Sequence, residues 1–229
     1  MGGLSLEVRG EVRIVRLGEG ECRFDRTLLE DLNAVLDTVE DAGAVALVSI
    51  GSDRFYSNGY DLGWLATLEK DERRGFIRDH QALLARWLVL PVPTVAAVSG
   101  HAFGAGALLA LAHDVCVARD DHGSFCLPEI DAGIPLRRGM MALVRARLPP
   151  RAARDAVLTG RRFVADEAVE AGFADRAVPD ARLLDIACEI ARTRAPQAGS
   201  TLGAMKRGLY DEAHRLLDES SRGVAKPKR

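Results

Sequence analysis

Residues 98–114 read Val-Ser-Gly-His-Ala-Phe-Gly-Ala-Gly-Ala-Leu-Leu-Ala-Leu-Ala-His-Asp. Three glycines, Gly100, Gly104 and Gly106, lie in a stretch with no Asp, Glu, Lys or Arg between Arg86 and Asp114. Glycine lets backbones approach closely and leaves N–H groups uncovered. A Walker loop would need a Lys-Ser/Thr pair after the last glycine, where Ala107 and Leu108 stand. A dinucleotide fingerprint would need G-x-G-x-x-G, and the spacing differs. What remains is a glycine loop that ends a strand and opens an uncharged helix, with bare N–H groups at the positive end of its dipole. Neutral donors in apolar surroundings suit a charge that develops only during reaction, such as an oxyanion or enolate. Close packing of a helix on a strand would use the same glycines, and the motif alone leaves both readings open. A similar junction runs from Gly51 to Leu62. Its Ser57-Asn58-Gly59 is turn chemistry, and Asp61 is placed to start a helix. Two donors from separate loops are what an oxyanion hole requires; a plain surface loop is the simpler alternative.

The elements that must hold these loops follow from periodicity. Leu4 to Leu17 alternates around Gly10-Glu11, as a β-hairpin does. From Asp25, Leu28, Leu29, Leu32, Val35, Leu36 and Val39 recur at helical spacing. Short buried strands are expected within 42–50, over 94–98 and over 115–118. Helices are expected over 73–89, 107–112, 139–147, 151–158, 165–171 and 181–193. Strands alternating with helices predict an α/β fold with a mostly parallel sheet, whose sites form where strands turn into helices.

Composition narrows the function classes. A chain of 229 residues suits one large domain or a domain with a small appendage, and 48% hydrophobic residues can fill its core. A net charge of −2 gives no bulk field for nucleic acid or an anionic membrane. The apolar run 87–112 is broken by Pro91, Pro93 and the glycines, so it reads as buried strand, loop and helix rather than a membrane span. Cys22, Cys116, Cys126 and Cys188 form no CxxC pair and are expected to be reduced core thiols, with neither a disulfide framework nor a metal site. Met1 to Val8 lacks the pattern of a signal peptide, and the expected compartment is cytoplasmic. The basic tail Lys226-Pro227-Lys228-Arg229 reads as a frayed terminus.

Four segments, in this order, resemble the crotonase family of enoyl-CoA hydratases and isomerases. They run from Arg54 to Leu62 (R-F-Y-S-N-G-Y-D-L), from Pro91 to Gly106, from Leu127 to Pro135 (L-P-E-I-D-A-G-I-P) and from Leu158 to Asp175. The resemblance is strongest over about residues 44–178. It implies a crotonase-like spiral of ββα units over 1–180 and a C-terminal helical region, 181–229, for trimerisation and pocket cover. It implies a homotrimer or dimer of trimers acting on a coenzyme A thioester without cofactor or metal. It places the oxyanion hole at the backbone N–H groups of Tyr60 and Ala105. The alanine at 105, where many relatives have glycine, keeps the donor. Ser57, Asn58, Gly59, Asp61, Gly104 and Leu108 are implied to line the substrate.

Hydratases of this family resemble one another in having two glutamates that hold a water. The first position falls on Leu108 and the second on Glu129. Leucine can neither orient water nor accept a proton, so one carboxylate remains, which suits moving a proton within a 3-enoyl-CoA. The Ser-Asn-Gly-Tyr-Asp-Leu stretch with Trp64 and Leu65, and the Glu129–Asp131 spacing, resemble the peroxisomal-type Δ3,Δ2-enoyl-CoA isomerases. Burial of Glu129 would raise its pKa. Other outcomes stay open: hydration or thioester cleavage by Glu129 alone or with Asp131, or a silent acyl-CoA-binding member. Asp131 is read as structural or as a second carboxylate, and Lys206 with Arg207 as a solvated helix face or a contact to CoA phosphates. His101 is read as packing beside the loop, and Cys126 as core. Arg137 and Arg138 stand where relatives often have small residues. A polar acyl group, a CoA phosphate or solvent could receive them, solvent being the simplest.

Overall fold

A computed structural model of the chain describes residues 3–43 and 45–221. The basic tail at 226–229 and Ala44, within the strand expected at 42–50, lie outside the described residues. The chain opens on the expected antiparallel hairpin, β1 (Ser5–Arg9) and β2 (Val12–Arg16). Helix α1 (Arg26–Asp41) is capped by the Asp25 carboxylate, which accepts the Leu28 N–H at 2.8 Å. It buries the six apolar residues whose spacing announced it.

Three turns of similar build follow. The first is β3 (Ala46–Ile50), β4 (Phe55–Ser57), α2 (Leu62–Thr67) and α3 (Lys70–Leu88). The second is β5 (Thr94–Val98), β6 (His101–Phe103) and α4 (Ala105–Leu111). The third is β7 (Val115–Arg119), β8 (Phe125–Cys126) and α5 (Arg138–Arg147). The first strand of each turn joins a six-stranded sheet in the order β1-β2-β3-β5-β7-β9, closed by β9 (Arg176–Val178). The second strand joins a separate parallel sheet, β4-β6-β8. A strand in each sheet and then a helix, repeated, is the ββα spiral.

Four more helices join these: α6 (Pro150–Thr159), α7 (Ala165–Glu170), α8 (Asp180–Arg194) and α9 (Ser200–Leu209), before α10 (Asp211–Ser221) ends the described chain. α8 covers one face of the large sheet at β3, β5 and β7, where Leu183, Ala187 and Ala191 meet Val48, Val95 and Val117. α10 packs against α3 and α5.

The glycines between the sheets answer the question that their sequence raised. A Cβ on Gly106 would lie 2.7 Å from the Ser57 Cβ and closer still to the Ser57 carbonyl oxygen. A Cβ on Gly100 would lie 2.8 Å from the Phe55 nitrogen and overlap the Arg54 carbonyl. The first turn of α4 is therefore pressed onto Ser57 at the end of β4, and the turn before β6 onto Arg54 and Phe55. A buried polar cluster holds α4 from the other side. Trp87 Nε1 donates to His113 Nε2 at 3.1 Å. The proton of the neutral ring thus sits on Nδ1, which donates to the Leu109 carbonyl at 2.8 Å. Ser49 Oγ joins His113 Nε2 (2.8 Å) to the Tyr56 hydroxyl (2.7 Å). Burial pushes the His113 pKa down to about 3, so the ring is neutral and holds α3, α4, β3 and β4 in one register.

Gly106→Ala tests this packing. Helix propensity alone favours alanine by about 1 kcal/mol. The opposing group is backbone and cannot swing away, so overpacking of at least ~1–3 kcal/mol should outweigh it. Thermal unfolding followed by circular dichroism should show Tm lowered by several degrees. An unchanged or raised Tm would show that the two loops are not in contact.

Candidate active site

The first loop is built from β4 onward. Ser57 Oγ donates to the Cys22 carbonyl at 2.7 Å, and the Asn58 N–H donates to the Glu21 carbonyl at 2.9 Å. Phe24 N–H donates to Gly59 O and Asp61 N–H to Phe24 O, at 2.8 and 2.9 Å. These bonds bracket Tyr60, whose own N–H faces away from Phe24 and donates to no described residue. The Asp61 carboxylate accepts the Trp64 N–H at 2.9 Å and caps α2, as its position foretold. The Tyr60 ring is fixed as well. Its hydroxyl meets His80 Nδ1 at 2.8 Å, and its ring lies edge-on to Phe76 and His80. Full burial pushes the His80 pKa down to about 3, so this partner is neutral.

The second loop is Gly104, whose φ of +50° disfavours any side chain. Its N–H donates to Cys126 O at 2.9 Å and its carbonyl accepts the Leu108 N–H at 3.0 Å. Ala105 is the first residue of α4, where an N–H has no partner inside the helix. No described residue accepts it. The two loops abut: a Cβ on Gly59 would stand 3.5 Å from the Ala105 nitrogen. Two unpaired backbone donors thus come from neighbouring strand-to-helix junctions, one at the positive end of an uncharged helix.

Glu129 follows β8 in a tight turn in which Asp131 and Ala132 N–H groups donate to the Pro128 carbonyl and Ile134 N–H to the Glu129 carbonyl. Its Oε1 lies 3.3 Å from where a Cβ on Gly104 would be, beside the second donor. Its Oε2 is buried without a hydrogen-bond partner. Burial raises the Glu129 pKa above 4.5, and hydrogen bonding to its own backbone opposes this only in part. The carboxylate faces a cavity of about 550 Å³ walled by Tyr60, Ile77, Leu108, Ile134, Pro135, Leu136 and Met140, with Arg137 and Arg138 at its rim. Leu108, one turn into α4, is buried and lines the same cavity as Glu129. A buried base facing donors across an apolar cavity can move a proton at a carbon whose neighbouring carbonyl is polarised.

The remaining residues fall elsewhere. Asp131 is exposed and turns its carboxylate toward Gly160, outside the lining of that cavity. Lys206 is not on a solvated face. It is 5% exposed, with Nζ bonded to Asp114 Oδ2 (2.6 Å) and the Val92 carbonyl (2.8 Å), and it lines a different recess under α9. The long apolar stem of lysine lets its ammonium reach from α9 to this acid beside the large sheet, which pattern reading cannot see. His101 packs between Phe55 and Phe103 with Ser124 beside it. The Cys126 thiol is pushed up by burial and donates to Gly160 O, so it is no ready nucleophile. All four cysteines are free, and no cluster of metal-ligating residues occurs among the described residues. No helix among them is long and apolar enough to cross a membrane. Sequence reasoning missed His80, twenty residues from Tyr60, and the Ile134–Leu136 wall. Only the apolar stripe of α3, which includes Ile77, carried a signal.

Comparison with known proteins adds four findings. The model of a family described as enoyl-CoA hydratase/isomerase matches residues 19–223. The chain is 30% identical to enoyl-CoA delta isomerase 2, peroxisomal, of Arabidopsis thaliana, over 98% of this chain and 99% of that protein. It is 38% identical to a carnitinyl-CoA dehydratase of Salmonella arizonae, over 71% of this chain and 61% of the relative. The crystal structure of an enoyl-CoA hydratase from Mycobacterium marinum superposes with a TM-score of 0.89 at 26% identity, covering 99% of both chains.

The unpaired carboxylate has a measurable cost. Below pH 4.5 it is protonated in both the folded and unfolded chain and costs nothing. As pH rises from there toward its raised folded pKa, the unfolded chain has already released the proton and the native state has not, so stability falls with pH and stays lower above that value. Glu129→Gln should therefore raise Tm at pH 8, with the gain vanishing toward pH 4. A Tm difference that is the same at both pH values would show that the carboxylate is not desolvated.

Proposed function

The chain belongs to the enoyl-CoA hydratase/isomerase family, and on that premise we propose that it shifts the double bond of a 3-enoyl-CoA to the trans-2 position, with Glu129 as the single proton carrier. The observation that carries this reading is one half-buried carboxylate with a buried, unpaired oxygen, set beside two unpaired backbone donors, with leucine at the other lining position.

In this mechanism the thioester oxygen accepts hydrogen bonds from the Tyr60 and Ala105 N–H groups. Glu129 takes a proton from C2, and the C–H electron pair moves toward the carbonyl, leaving a dienolate with its charge on that oxygen. The pair then returns through C2–C3, the C3–C4 double bond opens, and C4 takes the proton back from Glu129. Nothing is gained or lost overall, so no cofactor is needed. Each donor aimed at the developing charge is worth about 10²–10³ in rate. A carboxyl raised by burial suits a group that must both take and return a proton. The expected trimer belongs to the same reading.

The name of the Arabidopsis relative, similar over nearly the whole chain, supports isomerisation. The dehydratase name of a relative more identical over a shorter span makes hydration the competing reaction. Adding water needs one group to activate it and another to handle the proton at C2, and Leu108 removes one of them.

A panel of 3-enoyl- and 2-enoyl-CoA esters, read by 2-enoyl absorbance and by mass, separates these. Glu129→Gln should lower isomerisation by at least ~10²-fold, while Leu108→Glu should introduce some hydration of 2-enoyl-CoA. Activity of Glu129→Gln within about tenfold of the unmutated protein would remove Glu129 as proton carrier. Clean hydration by the unmutated protein would replace the isomerase reading.

A further inference from the structure

The proton transfer makes no use of two charges at the rim of its own cavity. Arg137 and Arg138 stand where α5 begins, and both are exposed at the cavity that Glu129 and Leu108 share. Among the described residues neither guanidinium has a hydrogen-bond or ion-pair partner, although the Arg137 carbonyl accepts the Met141 N–H inside the helix. Arg147, at the other end of the same helix, instead donates to the Tyr210 hydroxyl and the Asp114 carbonyl. The first turn of α5 holds no acid, and cations at the positive end of a helix dipole weaken the helix rather than support it. Among the described residues Glu129 forms no ion pair with either of them, and its Oε2 has no hydrogen-bond partner. Beyond the Ile134–Leu136 wall, a second recess of about 370 Å³ also opens on Glu129, and its Ile130, Met141, Val157 and Leu158 bring no cation. Of the residues lining the two recesses that share Glu129, the cations are thus Arg137 and Arg138, both on the side of the larger, otherwise apolar pocket.

We infer that Arg137 and Arg138 receive an anionic group at the acyl end of the ligand, so that the preferred substrate class is an acyl-CoA with a second carboxylate rather than a plain alkyl chain. A guanidinium matches a carboxylate in fork geometry, and two of them without partners at the cavity rim are available to one carried by a chain that fills the pocket. The inference rests on the reading above only in taking Glu129 to face acyl carbons. A CoA phosphate offers the same anionic chemistry from the other end of the molecule, so the test must separate the two sources.

Saturated esters are unreactive and test binding alone. Hexanedioyl-CoA and hexanoyl-CoA, titrated by calorimetry, should differ in Kd by about tenfold in favour of the diacid, a preference that shrinks as ionic strength rises. In the double variant Arg137→Gln/Arg138→Gln, with its fold checked by circular dichroism, the ratio should fall toward one. The preference of the unmutated protein should persist for the corresponding pantetheine thioesters, which lack the nucleotide phosphates. A ratio near one in the unmutated protein, or a preference that survives both substitutions or high salt, overturns the inference. Equal weakening of both CoA esters by the variant, absent with pantetheine thioesters, assigns the arginines to a CoA phosphate and overturns it as well. Failure of every 3-enoyl-CoA to react would defeat the isomerase reading and leave these titrations intact.

Discussion

Buried polar groups in a folded chain almost always find partners, because leaving one unpaired costs roughly 1–3 kcal/mol. Here three unpaired groups converge on one place: the N–H groups of Tyr60 and Ala105 and the Oε2 of Glu129. They are complementary in kind, two donors for a negative oxygen and one acceptor for a proton. A thioester with an acidic neighbouring carbon would satisfy all three at once. The same desolvation that makes the site costly to fold raises the Glu129 pKa and strengthens donors that act away from water.

The rest of the fold keeps these groups from finding each other or relaxing. Ser57, Asn58, Gly59 and Asp61 give backbone or side-chain bonds to the segment 21–24 and to the first turn of α2, while no described residue accepts the N–H of Tyr60. Gly106 lets α4 settle on Ser57, and the His113 cluster pins the same helix to α3 and β3. A short uncharged helix fixed on both sides holds the Ala105 donor without a side chain that could swing into the cavity. Lys206 contributes at a distance, by pairing with Asp114 at the start of β7 and binding the Val92 carbonyl before β5.

Much of this was legible in the sequence, for identifiable reasons. Long amphipathic helices such as α1, and strands of five buried, mostly apolar residues such as β3 and β5, carry enough signal to be read directly. The strands β4, β6 and β8 have two or three residues each, too few for alternation, and exist because neighbouring turns of the spiral pair with them. The glycine loop announced close approach but not its partner. Glu129 has no local signal at all: a glutamate after proline becomes a candidate base only through the family likeness, and its unpaired oxygen through tertiary burial. The Tyr60–His80 bond and the inward turn of Lys206 likewise depend on which elements meet.

The most direct measurement is the infrared carbonyl stretch of a bound saturated acyl-CoA labelled with ¹³C at its thioester carbon. Two preorganised donors must polarise that carbonyl in the ground state, so the band should move to lower frequency on binding, relative to the same ester in water. A band at the solution frequency, in a ligand shown by titration to be bound, would mean that the N–H groups of Tyr60 and Ala105 do not hold the thioester oxygen and that the glycine loop only packs α4 against β4.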